Sequence, residues 1–167
     1  EFGNVWGYDG SAGDCDYTWD YHIMMNSFRR HPKCCGWLYT EHHDVINEWN
    51  GYVKYDRSAK IDGLGDLVPG MSMADFQSLY YISPEHYLYK EHKAGETVEI
   101  PYFASFMTDK APGALTLETE LVGWDSFGKF SSIGTESLAI PFESYLHRTV
   151  ASQKVVMPKE NGLSLLR

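Results

Sequence analysis

Basic residues are scarce in this sequence, and no block of lysine or arginine offsets its acidic composition. The 167 residues include 14 lysines and arginines against 23 aspartates and glutamates, which gives a formal net charge of −9 at pH 7. Phosphate-rich partners are bound through clusters of basic side chains. We therefore expect neither a nucleic acid nor a membrane as a partner.

Cysteine is also scarce, and long apolar runs are missing. The cysteines are Cys15, Cys34 and Cys35. Their odd number and the lack of a CxxC pattern predict free thiols, although a bridge from Cys15 to Cys34 or Cys35 stays open. No apolar run reaches the roughly 18 residues of a membrane-spanning helix, and no signal peptide is recognisable. These absences predict neither a disulfide-stapled scaffold nor a transmembrane segment.

Several common catalytic motifs are lacking as well. The sequence has no HExxH, no zinc-finger spacing and no GxSxG, and residues 63–66 lack the strand and helix context of a phosphate-binding loop. His42 and His43 are adjacent, so on a regular strand they would point to opposite faces and could not both bind one metal. We therefore expect no cofactor and no protein-bound catalytic metal, while a structural divalent cation stays open.

One segment has the spacing of an amphipathic helix. Between residues 17 and 30, apolar residues recur at intervals of three and four: Tyr17, Tyr21, Met24, Met25 and Phe28. Asp16 or Thr18 is expected to cap the helix. Residues 34–40 follow as a mostly apolar run, which is typical of a strand in a parallel sheet covered on both faces. Residues 2–6 could end a buried strand before the helix, and strand, helix and strand of this length predict βα units of an α/β fold.

The second half of the chain changes to a period of two. Residues 58–75 contain three glycines and one proline and predict a linker with a turn at Pro69-Gly70. Beyond it, alternating or apolar runs predict strands in residues 98–104, 115–121, 138–142 and 162–167, with turns at residues 94–96, 112–113 and 125–128. Short strands at this spacing indicate an antiparallel β-sandwich.

Aromatic residues make up 15% of the chain and are dense in residues 36–57, GWLYTEHHDVINEWNGYVKYDR. Glu1, Glu41 and Asp44 would stand at the ends of successive strands, where barrel strands converge on one site. Paired carboxylates can share the acid and nucleophile roles of sugar hydrolysis, so we expect a carbohydrate site. The alternatives are that the aromatic content reflects a β-rich domain and that the carboxylates solvate a loop.

Glu1-Phe2-Gly3, the aromatic-rich helix and residues 39–57 together resemble the end of the catalytic domain of family 2 glycoside hydrolases. Residues 39–57 fit the pattern Y-T-(E/Q)-x-x-D-V-x-x-E-x-N-G-x-x-x-Y-D-R. The resemblance implies the last βα units of a TIM (β/α)8 barrel with a linker in residues 1–75. An immunoglobulin-like β-sandwich would follow in residues 76–167. Because a full barrel takes about 250 residues, we expect this chain to be the C-terminal part of an enzyme.

The resemblance also implies an activity and its residues. The family includes β-galactosidases, β-glucuronidases and β-mannosidases, and we expect a retaining, β-galactosidase-like exo-β-glycosidase acting on terminal sugars of oligo- or polysaccharides. Glu1 matches the family's nucleophile. The residues expected near the sugar are Trp37, Tyr39, Glu41 and Asp44. The family's acid/base has no counterpart here, since Glu48 lies downstream of the barrel strands, so the missing N-terminal part of the enzyme would supply it and the isolated chain should be inactive.

Residues 39–57, which we call the signature, also contain residues expected to hold the loop that follows. Asp44, which thus has two expected roles, and Glu48, Asn50, Asp56 and Arg57 would pin this loop by charge-assisted hydrogen bonds. The rival hypothesis is a non-catalytic carbohydrate-binding or structural β-sandwich module with a barrel stub. A homo-oligomer stays open, and the sequence does not name the sugar.

Overall fold

The computed structural model describes residues 2, 16–46, 48–85 and 89–167. The chain divides into two compact units, Glu1–Ser78 and Leu79–Arg167. The described part of the first unit contains helix α1, Thr18–Arg30, the single-turn helix α2, Leu64–Leu67, and a 3₁₀ helix, Met73–Gln77. None of these helices is long and apolar enough to span a membrane.

Helix α1 confirms the helix predicted from the apolar spacing. Tyr21 and Met25, one turn apart, are fully buried. At the N-terminus, Asp16 Oδ1 accepts a hydrogen bond from the backbone N–H of Thr18 at 3.0 Å and another from its hydroxyl at 2.6 Å. This satisfies one of the backbone donors that a helix start leaves unpaired. The helix ends at Arg30, two residues before Pro32.

The strand predicted at residues 34–40 is wrong. Residues 34–38 have no regular secondary structure, and Tyr39 forms one parallel bridge with Phe2. The apolar side chains of this run pack individually instead. The prediction failed because a short apolar run does not by itself distinguish a strand from a packed loop. Cys34 and Cys35 are free thiols, as predicted, and Cys15 lies outside the described residues.

The described residues of the second unit form six antiparallel strands in two sheets. The strands are β1 Tyr80–Pro84, β2 Thr97–Phe106, β3 Leu115–Asp125, β4 Phe130–Ile140, β5 His147–Val156 and β6 Gly162–Leu166. One sheet has the order β1-β2-β5 and the other β4-β3-β6. The predicted turns separate the strands, with Gly113 at φ 89° and Gly128 at φ 78°, backbone conformations that glycine adopts without strain.

Apolar side chains from both sheets form the core of this unit. Ala104 and Phe106 of β2 are buried together with Ile140 of β4 and Leu146. A polar link also joins the sheets: the hydroxyl of Tyr102 on β2 and that of Thr119 on β3 both donate to Gln153 Oε1 on β5, at 2.6 and 3.1 Å. All three side chains are buried, so the link is satisfied internally.

The fold class predicted from the sequence is therefore wrong. In the described residues the structure has one helix of 13 residues and two three-stranded antiparallel sheets. This part of the chain lacks the repeated helices and parallel strands of a TIM barrel. The barrel prediction depends on one helix and on the two apolar runs before and after it. In the structure these runs share one parallel bridge, between Phe2 and Tyr39, which is not the parallel sheet that a βα unit requires.

Candidate functional site

Four tyrosines form the centre of the first unit. Tyr17 and Tyr21 are one turn apart at the start of α1, so they lie on the same face. Their rings pack on Tyr39, which contacts Tyr52 with ring centroids 4.5 Å apart and Tyr21 at 5.3 Å. Phe2 lies against Tyr39 in an edge-to-face arrangement at 5.3 Å. Packing in this tyrosine cluster accounts for Tyr39 and Tyr52, two of the five tryptophans and tyrosines in residues 36–57.

The hydroxyls of the cluster are used within the protein. Tyr17 donates to the carbonyl of Gly51 at 3.1 Å, and Tyr39 donates to the carbonyl of Asn50 at 2.5 Å. The hydroxyls of Tyr21 and Tyr52 are 2.7 Å apart. Burial raises the pKa of Tyr17 and of Tyr39 well above the ordinary value. Tyr17 and Tyr39 therefore stay neutral, and they hold Gly51 against the start of α1 and Asn50 against the tyrosine cluster.

Asp44 anchors the same segment from the other side. Its Oδ1 accepts the backbone N–H of Gly51 at 2.9 Å and lies 2.7 Å from Lys60 Nζ. Lys60 also donates to the carbonyl of Trp49 at 2.6 Å. Only 7% of the Asp44 side chain and 3% of the Lys60 side chain are exposed. This buried ion pair, with its added hydrogen bonds, confirms that Asp44 pins the loop.

Gly51 is required by the closeness of this packing. A Cβ on Gly51 would lie 2.3 Å from the carbonyl carbon of His43 and 2.4 Å from the nitrogen of Asp44. The preceding residue, Asn50, donates through Nδ2 to the carbonyl of Thr40 at 2.6 Å, as predicted for a loop-holding residue. The Asn-Gly pair of the signature thus brings residues 40–44 and 50–51 into direct contact.

Trp37 lies beside a buried arginine. Its indole N–H donates to Gln77 Oε1 at 3.1 Å, and the guanidinium carbon of Arg29 lies 4.6 Å from the ring centroid. Arg29 donates to the carbonyls of Phe76 and Ser78 at 2.9 and 2.8 Å. The cation–π contact and the two carbonyls offset part of the cost of burying this charge. The half-buried Trp37 ring is therefore fixed in orientation.

Glu41 differs from its neighbours because its carboxylate accepts no hydrogen bond from the described residues. Oε1 is buried, and so is Oδ1 of Asn50, which likewise has no donor among these residues. Burial, followed by the nearby carboxylate of Glu48, raises the pKa of Glu41 above its ordinary value of 4.5. A buried acceptor without a donor, such as Glu41 Oε1, favours binding of a ligand that brings a hydrogen-bond donor.

The structure brings the predicted substrate-binding residues into one unit, but in different environments. Tyr39 and Asp44 are buried and bonded internally, Trp37 is held by Gln77 and Arg29, and Glu41 is left with an unpaired carboxylate. Glu1, the predicted nucleophile, lies outside the described residues. Within the described ranges, no group of three or more His, Cys, Asp or Glu side chains is placed to hold a metal ion.

The residues predicted to pin the loop also differ in the contacts that they make. Asp56 and Arg57 bond within their own turn, Asp56 Oδ1 to the N–H of Ser58 at 2.9 Å and Arg57 Nη1 to the carbonyl of Tyr55 at 2.7 Å. Glu48 is half-buried, and its backbone pairs with that of Val45. These contacts shape the turns and do not reach the tyrosine cluster.

Two important side chains are not evident from the sequence. Lys60 falls in a segment whose composition predicts a linker, and the position of Arg29 in the last turn of α1 indicates only an interaction with the helix dipole. The sequence signal that points to Lys60 is Asp44, because a buried carboxylate requires a cation or several hydrogen-bond donors.

Comparisons of this chain with protein-family models, with curated proteins and with solved structures give no match.

Proposed function

We propose that this chain carries the nucleophile of a retaining exo-β-glycosidase, β-galactosidase-like, that removes terminal β-linked sugars from oligo- or polysaccharides. The proposal rests on the sequence resemblance of residues 1–3 and 39–57 to family 2 glycoside hydrolases, although the described residues do not form the parallel strands that the resemblance implies. Two carboxyl groups in the acid and nucleophile roles are the usual means of catalysis in this reaction class.

One observation carries the proposal: the two parts of the resemblance are hydrogen-bonded to each other. The N–H of Phe2 donates to the carbonyl of Leu38 at 2.9 Å, and the N–H of Thr40 donates to the carbonyl of Phe2 at 2.8 Å. Phe2 directly follows Glu1 in the sequence. The residue next to the proposed nucleophile is therefore bonded to the segment that carries Tyr39 and Glu41.

In the proposed reaction, Glu1 attacks the anomeric carbon and forms a glycosyl ester, while a carboxylic acid outside this chain protonates the leaving oxygen. The same acid, now a carboxylate, takes a proton from water, and the hydroxide releases the sugar with retained configuration. Retention requires the two carboxyl groups to be about 5–5.5 Å apart. The nucleophile must stay ionised while its partner stays protonated.

The four predicted substrate-binding residues have different roles in this proposal. Glu41 accepts a sugar hydroxyl, since its carboxylate accepts no hydrogen bond from the described residues. Trp37 offers a ring fixed by Arg29 and Gln77. Tyr39 and Asp44 are positioning residues, because their polar groups are bonded inside the protein.

The test is hydrolysis of an aryl β-galactoside by the full-length polypeptide that carries this chain, with the anomer of the first product followed by proton NMR. We expect the β anomer to form first, and Glu1→Gln to lower kcat by several orders of magnitude with unchanged circular dichroism. Glu48→Gln is the matched control and should retain activity. An α anomer as first product would exclude the glycosyl-enzyme mechanism.

A second candidate is a non-catalytic carbohydrate-binding or structural module. Its structural form is favoured by one observation, the burial of Tyr39, which is only 9% exposed and so presents little ring surface to a sugar. In that case the first unit would neither hydrolyse nor bind galactosides, and Glu1→Gln would change neither result.

A further inference from the structure

The turn between β3 and β4 presents a phenylalanine to solvent. Phe127 is 95% exposed, yet the turn that carries it is well ordered by its own hydrogen bonds. Asp125 Oδ1 accepts the N–H groups of Phe127 and Lys129, each at 2.9 Å, and the carbonyl of Asp125 accepts the N–H of Gly128 at 2.9 Å. The backbone of this turn is therefore preorganised, and the ring that it carries is fully accessible.

More apolar side chains lie on the strands beside this turn. Trp124 on β3 is paired in register with Phe130 on β4 and with Leu163 on β6. Residues paired across strands point to the same side of a sheet, and the rings of Trp124 and Phe130 are in contact, with centroids 5.3 Å apart. Phe130 is 49% exposed and Leu163 is 62% exposed. We call Trp124, Phe127, Phe130 and Leu163 the β3–β4 platform.

We propose that the β3–β4 platform binds neutral sugar rings of a polysaccharide by stacking. The exposed faces are mainly aromatic, and a pyranose ring has an apolar C–H face that matches an aromatic ring. Polar residues surround the platform, since Ser126, Lys129 and Ser131 are all exposed beside it. An apolar surface with a few polar groups at its rim is the usual composition of a small-ligand site.

Size and charge favour this occupant over others. The platform exposes on the order of 400 Å² if a fully exposed aromatic side chain has about 200 Å², whereas a stable protein interface takes about 800 Å² per partner. Acidic polymers and anionic membranes are disfavoured by the formal charge of −9. At the platform itself, Asp125 and Lys129 carry opposite charges, which suits an uncharged ligand.

Electrophoretic retardation of the 167-residue chain in native gels tests the proposal, with β-1,4-galactan or hydroxyethyl cellulose dissolved in the gel. We expect retardation by at least one of these neutral polysaccharides. Phe127→Ala should weaken the apparent affinity by about tenfold, the size of effect that loss of one stacked ring gives elsewhere. Tyr89→Ala is the matched control, because Tyr89 is 70% exposed and lies outside this sheet.

Three results would overturn the proposal: no retardation in either gel, equal retardation of the Phe127→Ala variant and the unmodified chain, or a dimer in sedimentation velocity that Phe127→Ala dissociates. The choice of galactan follows from the proposed glycosidase function, but the platform lies in the second unit. Absence of galactoside hydrolysis would therefore refute the proposed function, whereas absence of retardation would refute binding by the platform.

Discussion

Asp44 Oδ1 lies 2.7 Å from Lys60 Nζ, with both side chains almost fully buried. A buried ion pair gives little net stability by itself, but removal of one partner leaves an uncompensated charge in the interior. The pair joins the loop that carries the family resemblance to a segment without regular structure 16 positions later, so it is the main electrostatic link within the described part of the first unit.

Asp44→Asn should lower the free energy of unfolding by about 3–5 kcal/mol, because it leaves the Lys60 charge buried without a partner. Urea denaturation followed by circular dichroism measures this loss. Asp56→Asn makes the same chemical change at an exposed position of the same unit and should have a much smaller effect. Similar losses in the two variants would show that the Asp44–Lys60 pair is open to solvent.

Gly51→Ala should destabilise the first unit by about 3 kcal/mol or more, because overpacking against fixed backbone atoms cannot relax through rotamers. The new Cβ would lie 2.3 Å from the carbonyl carbon of His43. At Gly36 an added Cβ would have no other atom within 4 Å, so Gly36→Ala should be neutral or stabilise by up to about 1 kcal/mol. Thermal melting of both variants checks the contrast, and an unchanged melting temperature for Gly51→Ala would contradict the packing.

The stability of the first unit should depend on pH through Glu41. Its pKa is raised in the folded state by burial and by Glu48. The protonated form therefore favours folding, and this contribution is present below pH 4.5 and is lost as the pH rises through the folded-state pKa. Glu41→Gln, which mimics the neutral form, should match the unmodified chain at about pH 4 and exceed its stability at about pH 7.

Urea midpoints at the two pH values measure this difference. Glu160→Gln, at an exposed position, is the control and should leave the midpoint unchanged at both. A Glu41→Gln variant that is less stable than the unmodified chain at neutral pH would show that the Glu41 carboxylate is paired in solution.

Local patterns predict some elements of this fold well. Helix α1 is predictable because Tyr21 and Met25 follow helical spacing and also face the core, so local and tertiary preferences agree. The turn at Gly128 is predictable because glycine tolerates its positive φ. The role of Asp44 in holding the loop also agrees with the sequence prediction, since its carboxylate bonds to Gly51 and Lys60.

Other features depend on contacts that spacing does not encode. The run at residues 34–40 predicts a strand because it is apolar, but Tyr39 and Trp37 use their rings for packing on α1 and Arg29. Strand β5 escapes prediction because one of its buried side chains is Gln153, whose burial is explained by the hydroxyls of Tyr102 and Thr119. A buried polar residue lacks the hydrophobic signal on which alternation depends.

Covalent trapping tests the proposed function most directly. A 2-deoxy-2-fluoro-β-galactoside with a dinitrophenolate leaving group is incubated with the full-length polypeptide that carries this chain. The fluorine slows both steps, and the good leaving group lets the first proceed, so the glycosyl-enzyme accumulates. Peptide mapping by mass spectrometry should then find one fluorogalactosyl group on Glu1, and Glu1→Gln should remain unlabelled. A label on Glu41 or Glu48, or no label while the substrate is still hydrolysed, would contradict the account.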